Sequence, residues 1–179
     1  MHTFAKRIAC PASALIGGAE GRGLQTALGG LELGRINVAA RGCGIAKAAL
    51  DDSVRYAQLR KTFGKPIAEH QAIQQKLADM GTKLQAARLL TQHAADLKQS
   101  GARADVEAGM AKLFASETAF EIATEALRIH GGVGYTTEFP IERYYRDAPL
   151  MIIGEGTNEI QRIVIARGLM ARWAESHPT

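Results

Sequence analysis

Three long stretches with helical spacing set the strongest limit on how this chain can fold. Apolar side chains recur every three, four or seven residues over residues 24–59, 68–99 and 104–130, which places them on one face of a helix. From Ile73 to Thr91 the spacing alternates between four and three, as in helices that pack nearly antiparallel. A fourth helix is predicted over the last 20 or so residues, and a short extra one from Phe139 to about Pro149. The sequence therefore predicts an all-α fold, a mostly antiparallel four-helix bundle.

The first 23 residues do not share this spacing. Pro11 and a series of glycines from Gly17 to Gly23 exclude a long helix there. Residues 12–16 are interpreted as the end of a strand or as an extended connector. We therefore expect two parts, an irregular or strand-like segment over residues 1–23 and a helical bundle over residues 24–179.

Charge and cysteine usage narrow the functional classes. The net charge is +4, and the cations are dispersed without a long basic run, which favours a solvated helical surface over a nucleic-acid-binding one. The two cysteines, Cys10 and Cys43, have neither metal-ligand spacing nor a disulfide framework, so we predict reduced thiols, a cytoplasmic protein and no metal site. No apolar run is long enough to span a bilayer. The dispersed cations are Arg55, Arg60, Lys61, Lys65, Arg88, Lys112, Arg143 and Arg146.

One acidic residue between two glycines stands at the start of the last predicted helix. Gly154-Glu155-Gly156-Thr157 precedes apolar residues in helical spacing at Ile160, Ile163, Val164 and Met170, with Trp173 beyond. A helix start offers unpaired N–H groups and a positive dipole end, which suit an anionic or carbonyl ligand. On spacing alone, the better interpretation is a first-turn acid that complements the dipole, with glycines that mark a turn.

Four short segments point to a family. They are RKTFGK at residues 60–65, HQ at residues 70–71, HGGVGY at residues 130–135 and EGTNEIQR at residues 155–162, each at a predicted helix end. In this order they resemble the C-terminal helical domain of the acyl-CoA dehydrogenases, flavoenzymes that desaturate acyl-CoA thioesters. The resemblance runs from about residue 10 to the end. It implies that residues 1–23 are the remnant of a preceding β-domain and that residues 24–179 are the C-terminal bundle domain.

The resemblance assigns the chemistry. It makes Glu155 the general base that removes the α-proton of the thioester, with N5 of FAD as the hydride acceptor, and Gly156 leaves room for the acyl chain. In a minority of the family the base comes from the first helix, beside the position of Arg35. Here that neighbour is Gly34, which carries no carboxylate, so Glu155 is the expected base.

The same resemblance implies the remaining contacts and partners. Electrons would pass to an acceptor such as an electron-transfer flavoprotein, and the chain would form a homo-oligomer, a dimer or tetramer, in which contacts reach the FAD of a neighbouring subunit. A eukaryotic member would lie in the mitochondrial matrix. Arg128 stands where glutamine is common, and Gly154 replaces a frequent tyrosine. The implied substrate contacts are Glu32, Arg35, Gly156 and Arg167, and the implied FAD contacts are Arg60, Lys61, Thr62, Gln71, Arg128, Gly132, Thr157, Asn158 and Glu159.

Two alternatives remain open on the sequence. The family's N-terminal helical domain and most of its β-domain have no counterpart here, so we expect the chain to be inactive alone. It is then either the catalytic C-terminal part of a dehydrogenase, or a non-catalytic helical oligomerisation module or one chain of a two-chain flavoenzyme. An acyl-CoA oxidase, which passes electrons to oxygen, is the second alternative.

Overall fold

The computed structural model describes residues 9–177, apart from the side chain of Leu28. Within this range the chain is almost entirely helical, and the predicted all-α fold is confirmed. The α-helices are α1 (Gly23–Leu59), α2 (Gln71–Gln99), α3 (Asp105–His130), α4 (Ile141–Ile153) and α5 (Asn158–Ser176). Short 3-10 helices cover Ala12–Ala14, Ile67–Glu69 and Gly131–Tyr135, and a two-stranded antiparallel hairpin joins β1 (Lys61–Thr62) to β2 (Lys65–Pro66).

Side-chain pairs give the direction of the first three helices. Glu32, near the start of α1, accepts a hydrogen bond from Lys98 at the end of α2. Lys76, near the start of α2, bonds to Glu125 near the end of α3. Neighbouring helices in the chain therefore run in opposite directions, as short connections require.

The fourth position of the bundle is divided between α4 and α5. Tyr145 of α4 packs on Phe120 in the second half of α3, with 5.4 Å between the ring centroids. Arg172 of α5 pairs with Glu107 in the first half of α3, at 2.7 Å. The break between α4 and α5, residues 154–157, therefore lies beside the middle of α3.

Small residues allow the close packing of α1 and α3. Ala39, Ala46, Ala49, Ala115 and Ala119 are fully buried between the helices. A Cβ on Gly42 would lie 2.9 Å from the carbonyl oxygen of Ala115, so the two backbones meet where Gly42 lacks a side chain. This contact fixes the position of α1 along α3.

The segment before the bundle is irregular, as predicted, whereas one predicted helix end was wrong. Residues 12–16 contain a 3-10 turn, Ala12–Ala14, and no strand, and residues 9–22 as a whole contain none; residues 1–8 of the same predicted segment lie outside the described range. Helix α4 does not end near Pro149 but continues to Ile153. A proline inside a helix removes one hydrogen bond, and the buried side chains of Ala148 and Met151 on either side hold α4 against the bundle despite this loss.

The apolar residues predicted for the last helix are largely exposed. Ile160, Ile163 and Met170 are 48%, 47% and 63% exposed, whereas the polar residues Asn158 and Gln161 are buried. The spacing predicted the helix correctly, but not which side faces the core. None of the helices within residues 9–177 has the length and apolarity needed to cross a bilayer.

Candidate active site

The loop between α4 and α5 carries Glu155 in an unusual backbone conformation. Glu155 has φ of +55° and Gly156 has φ of +87°, whereas Gly154 has an ordinary φ of −64°. The left-handed region is uncommon for a residue with a side chain and costs free energy, so it persists only where the surroundings hold it in place. Of the two glycines beside Glu155, only Gly156 therefore has a backbone conformation that favours glycine.

The side chain of Glu155 lies against Gly34 of α1. A Cβ added to Gly34 would come within 2.5 Å of Oε2 and 2.7 Å of Cδ of Glu155. The absence of a side chain at position 34 therefore supplies the space that the carboxylate occupies. The next residue, Arg35, is half-buried, and its Nε has no hydrogen-bond partner within the described residues.

Helix α5 begins three residues after Glu155. Thr157 is its N-cap, and its hydroxyl accepts a hydrogen bond from the N–H of Ile160 at 3.5 Å. The first-turn acid is Glu159, whose pKa is lowered by a backbone N–H and by the Thr157 hydroxyl. Glu159 is therefore the residue that complements the dipole of α5. This role does not explain the position of Glu155.

Buried polar side chains form hydrogen bonds with residues 155–158, in and next to the loop that carries Glu155. Gln161, which is fully buried, donates from Nε2 to the carbonyl oxygens of Glu155 at 3.2 Å and Gly156 at 3.0 Å. Asn158 is also buried, and its amide Nδ2 donates to Ser116 at 3.0 Å. The side chain of Asn158, an expected FAD contact, is thus engaged within the bundle.

Lys112 is the residue beneath this loop that the sequence interpretation missed. Its side chain is fully buried rather than solvated, and its Nζ donates to the carbonyl oxygen of Ile152 at 2.8 Å and to Oδ1 of Asn158 at 2.6 Å. Burial lowers the pKa of Lys112 to about 8. The available signal was its spacing, because Lys112 lies four residues after Ala108 and three before Ala115, both on the core side of α3.

One of the expected FAD contacts, Arg60, lines a cavity at the other end of α1. Arg60 and Val133, the neighbour of Gly132, border a cavity of about 370 Å³ together with an aromatic cluster of Tyr56, His130 and Phe139. The His130 ring stacks on Tyr56 at 4.2 Å between centroids, and its Nδ1 donates to the carbonyl oxygen of Ala126 at 2.8 Å.

The second ring nitrogen of His130 has no such partner. Burial lowers the pKa of His130, so the ring is neutral near pH 7. Its Nε2 is then an acceptor, and within the described residues this buried atom has no hydrogen-bond partner.

The hairpin after Arg60 holds the next expected contacts. The hydroxyl oxygen of Thr62 lies within hydrogen-bonding distance, 3.0 Å, of Nε2 of His70, and both side chains are half-buried. Lys61 and Gln71 are exposed on either side of this bond. The segment from Arg60 to Gln71 is therefore a compact turn whose polar groups are accessible.

Three further expected contacts, Glu32, Arg167 and Arg128, are either paired within the bundle or exposed. Both carboxylate oxygens of Glu32 are engaged, one by Lys98 Nζ at 2.8 Å and the other by the N–H of Ala104 at 2.9 Å. Arg167 is exposed on α5. Arg128 is exposed and pairs with Glu125 at 2.6 Å. Across residues 9–177, no three His, Cys, Asp or Glu side chains come together in a way that could hold a metal ion.

Comparisons with known proteins agree with this fold. Residues 21–170 match the family model described as "Acyl-CoA dehydrogenase, C-terminal domain". A 3-(aryl)acrylate reductase of Clostridium sporogenes is 53% identical over 149 residues, which are 83% of this chain and 40% of the relative. The CarC subunit of the caffeyl-CoA reductase-Etf complex of Acetobacterium woodii is 46% identical over 151 residues, 84% of this chain and 40% of that protein.

The solved structures give the same result. Butyryl-CoA dehydrogenase from Megasphaera elsdenii superposes with a TM-score of 0.84 and 47% identity, over 85% of this chain and 40% of that one. The chain therefore belongs to the acyl-CoA dehydrogenase family and corresponds to its C-terminal helical domain. It spans about two fifths of the length of these relatives.

Proposed function

We propose that this chain supplies the catalytic base and part of the cofactor site for α,β-dehydrogenation of an acyl-CoA thioester. Glu155 removes the α-proton. The observation that carries the proposal is the carboxylate of Glu155, which a backbone with positive φ presents at the break in the fourth bundle position, in the space left by Gly34. Residues 1–23 are then the end of a preceding β-domain.

A carboxylate must be made more basic to take such a proton. Desolvation raises the pKa of a carboxyl group, and a general base works best when its pKa is near the working pH. Glu155 is exposed in the single chain, so the acyl-CoA and the remainder of the enzyme would have to cover it. The backbone N–H of Glu155 would stabilise the charge that develops on the thioester oxygen, as preorganised donors do, and Gly156 would leave room for the acyl chain.

The residues around Arg60 suit part of an FAD molecule. The Arg60 guanidinium, at the edge of the cavity, matches the charge of a pyrophosphate, and the unpartnered Nε2 of His130 offers an acceptor. Lys61, Thr62, Gln71 and Gly132 surround the same end of α1. FAD, when bound, would supply the hydride acceptor for the β-hydrogen.

The length of α1 separates Glu155 from the residues around Arg60. The helix rises about 1.5 Å per residue, so Gly34 and Leu59 lie roughly 38 Å apart along it. That distance is longer than one extended FAD molecule. One FAD would therefore contact Glu155 of one chain and the Arg60 cavity of another, which supports a homo-oligomer of two or four chains.

The named relatives indicate the electron partner and leave the direction open. One relative belongs to a complex with an Etf, which supports an electron-transfer flavoprotein as acceptor. The two relatives described above are named as reductases, whereas the structural neighbour and several relatives of similar identity are named as dehydrogenases. A base that removes a proton in one direction returns it in the other, so reduction of an enoyl thioester is the second candidate. We place the protein in the cytoplasm, or in the mitochondrial matrix if it is eukaryotic.

The first test uses the purified chain. We expect that, after incubation with FAD and removal of free flavin, an oligomer retains a visible flavin band. A colourless but folded oligomer would instead favour the helical oligomerisation module or a two-chain flavoenzyme, in which a partner holds the cofactor.

The second test replaces the matching segment of the Megasphaera elsdenii enzyme with residues 21–170 of this chain. Anaerobic butyryl-CoA should bleach the flavin of this chimera, and Glu155→Gln should slow bleaching by about 10²–10⁴-fold with the FAD content unchanged. Bleaching at an undiminished rate would refute the role of Glu155. Hydrogen peroxide released during turnover in air would indicate the oxidase.

A further inference from the structure

The loop that carries Glu155 is anchored at both ends by one buried cation. Ile152 provides one of the last carbonyl groups of α4, which have no partner within the helix, and a cation there also complements the helix dipole. Asn158 is the first residue of α5. Lys112 donates to both, at 2.8 Å and 2.6 Å, so one ammonium group joins the end of α4 to the start of α5.

The positive φ of Glu155 explains why the loop needs the link through Lys112. A residue with a side chain keeps a positive φ only where its surroundings fix the neighbouring backbone. Gln161 holds the carbonyl groups of Glu155 and Gly156, but it lies on α5, so these bonds join the loop only to the helix that follows it. Lys112 lies on α3, the most buried helix, and therefore ties the loop to the core.

We propose that Lys112 is a positioning residue for Glu155, and that its ammonium group sets the distance between α4 and α5 and thereby the place of the base. The charges around it are Glu117 of its own helix, Glu159 of α5 and Arg35 of α1. Fully buried cations without a partner are costly, and the two oxygens offset this cost only while the loop stays closed. The part that concerns catalysis rests on the proposed function.

The first experiment measures amide hydrogen exchange of the 179-residue chain. Lys112→Met keeps the length of the side chain and removes its donors, and Lys47→Met makes the same change at an exposed lysine that pairs with Asp51 within α1. Exchange of amides 154–161 should rise about tenfold or more in Lys112→Met relative to Lys47→Met. Amides 119–126 in the far half of α3 should change much less. An equal rise in both segments, or no rise in either, would overturn the proposal.

A second variant covers the case in which Lys112→Met does not fold. Asn158→Leu leaves Lys112 in place and removes its acceptor on α5, together with the hydrogen bonds of Asn158 to Ser116 and Glu117. It should raise exchange of the same amides. If both variants fold, their combination should raise exchange by less than the product of the two separate effects, because they break one shared link. Independent effects, or an unchanged loop in Asn158→Leu, would contradict the proposal.

The catalytic part is measured in the chimera with the Megasphaera elsdenii enzyme. If Lys112 only places the base, Lys112→Met should lower kcat by about tenfold or more and leave KM within about twofold. A raised KM with unchanged kcat would refute this role. Hydrogen exchange needs neither FAD nor substrate, so it tests the role of Lys112 without assuming the proposed function. The Glu155→Gln chimera tests the proposed function separately.

Discussion

Helices α3 and α5 pack against each other, yet they distribute their side chains in opposite ways. α3 buries Ala108, Ala111, Ala115, Ala119 and Ile122 on its core side and is covered by all the other helices. α5 makes its main contact with α3 alone, buries Asn158 and Gln161, and exposes most of its apolar side chains. The exposed apolar residues are Ile160, Ile163, Leu169, Met170 and Trp173.

The difference separates two kinds of stabilisation. α3 gains its stability from apolar burial within one chain. α5 is held to α3 by the hydrogen bonds of Asn158 near the Glu155 loop and by the ion pairs of Arg162 and Arg172 along the helix. Its apolar surface is available for contact with another chain. Substitutions in the two helices should therefore affect different properties of the protein.

The largest expected effect is a loss of unfolding free energy in α3. Ile122 is 1% exposed, so Ile122→Ala removes well-packed methyl groups and should lower the unfolding free energy by about 2–5 kcal/mol. The matched change on α5, Ile163→Ala, should alter it by less than about 0.5 kcal/mol in dilute solution. Urea unfolding of both variants measures the contrast, and equal losses would show that the two helices do not differ as described.

The next effect probes how closely α5 approaches α3. A Cβ at Gly168 would lie 2.2 Å from Cγ2 of Val106, which is buried and stiff, so Gly168→Ala should cost about 1–3 kcal/mol by pushing the helices apart. Gly44→Ala on α1 is the control, because no atom lies within 4 Å of the added Cβ. It should stabilise the chain by about 0.4–1 kcal/mol. Thermal unfolding that shows a gain at both positions would contradict the close contact.

The smallest expected effect is a loss of stability at low pH. Arg172 donates to both carboxylate oxygens of Glu107, at 2.7 Å and 3.0 Å, and so lowers the pKa of Glu107 below its usual 4.5. A lowered carboxyl pKa adds stability that is complete above the unfolded value and is lost as the pH falls through the folded value. The pair is partly exposed, so we expect at most about 1 kcal/mol, lost below about pH 4.5.

Arg172→Gln tests this pair. The variant should be less stable than the parent at pH 7, and the difference should shrink as the pH falls below about 4.5, as measured by urea unfolding at pH 7 and pH 3. A difference that persists undiminished at pH 3 would mean that Arg172 stabilises α5 by packing and not by charge.

The sequence predicted the positions of the helices well, but it predicted less well which side of each helix faces the core. Spacing located α1, α2 and α3 within a few residues, because each has one core side with a regular period. It could not orient α5, because the side of α5 that faces α3 carries Asn158 and Gln161 while the apolar side is exposed. Pro149 was interpreted as a helix end because local chemistry disfavours it inside a helix, whereas packing of α4 against the bundle overrides that preference.

For the site, the sequence predicted the residues of the loop but not what holds them. Motifs selected Glu155 and its neighbours, and the structure adds the contact of Glu155 with Gly34. Lys112 was assigned to the solvated surface, since a lysine on a helix is usually exposed and its partners, Ile152 and Asn158, lie about 40 residues away. Such long-range pairs are not visible in local spacing.

The shared volume of Gly34 and Glu155 limits how the proposed base could be relocated by mutation. A glutamate at position 34 would begin its side chain where the present carboxylate already lies. A stepwise route from one position to the other must therefore pass through a chain with two carboxylates or with none. With two, their repulsion would make one of them hold a proton near neutral pH. With none, the volume would be left empty and the proposed base would be missing. Every stepwise route therefore passes through a variant in which the site is either crowded by two carboxyl groups or lacks one.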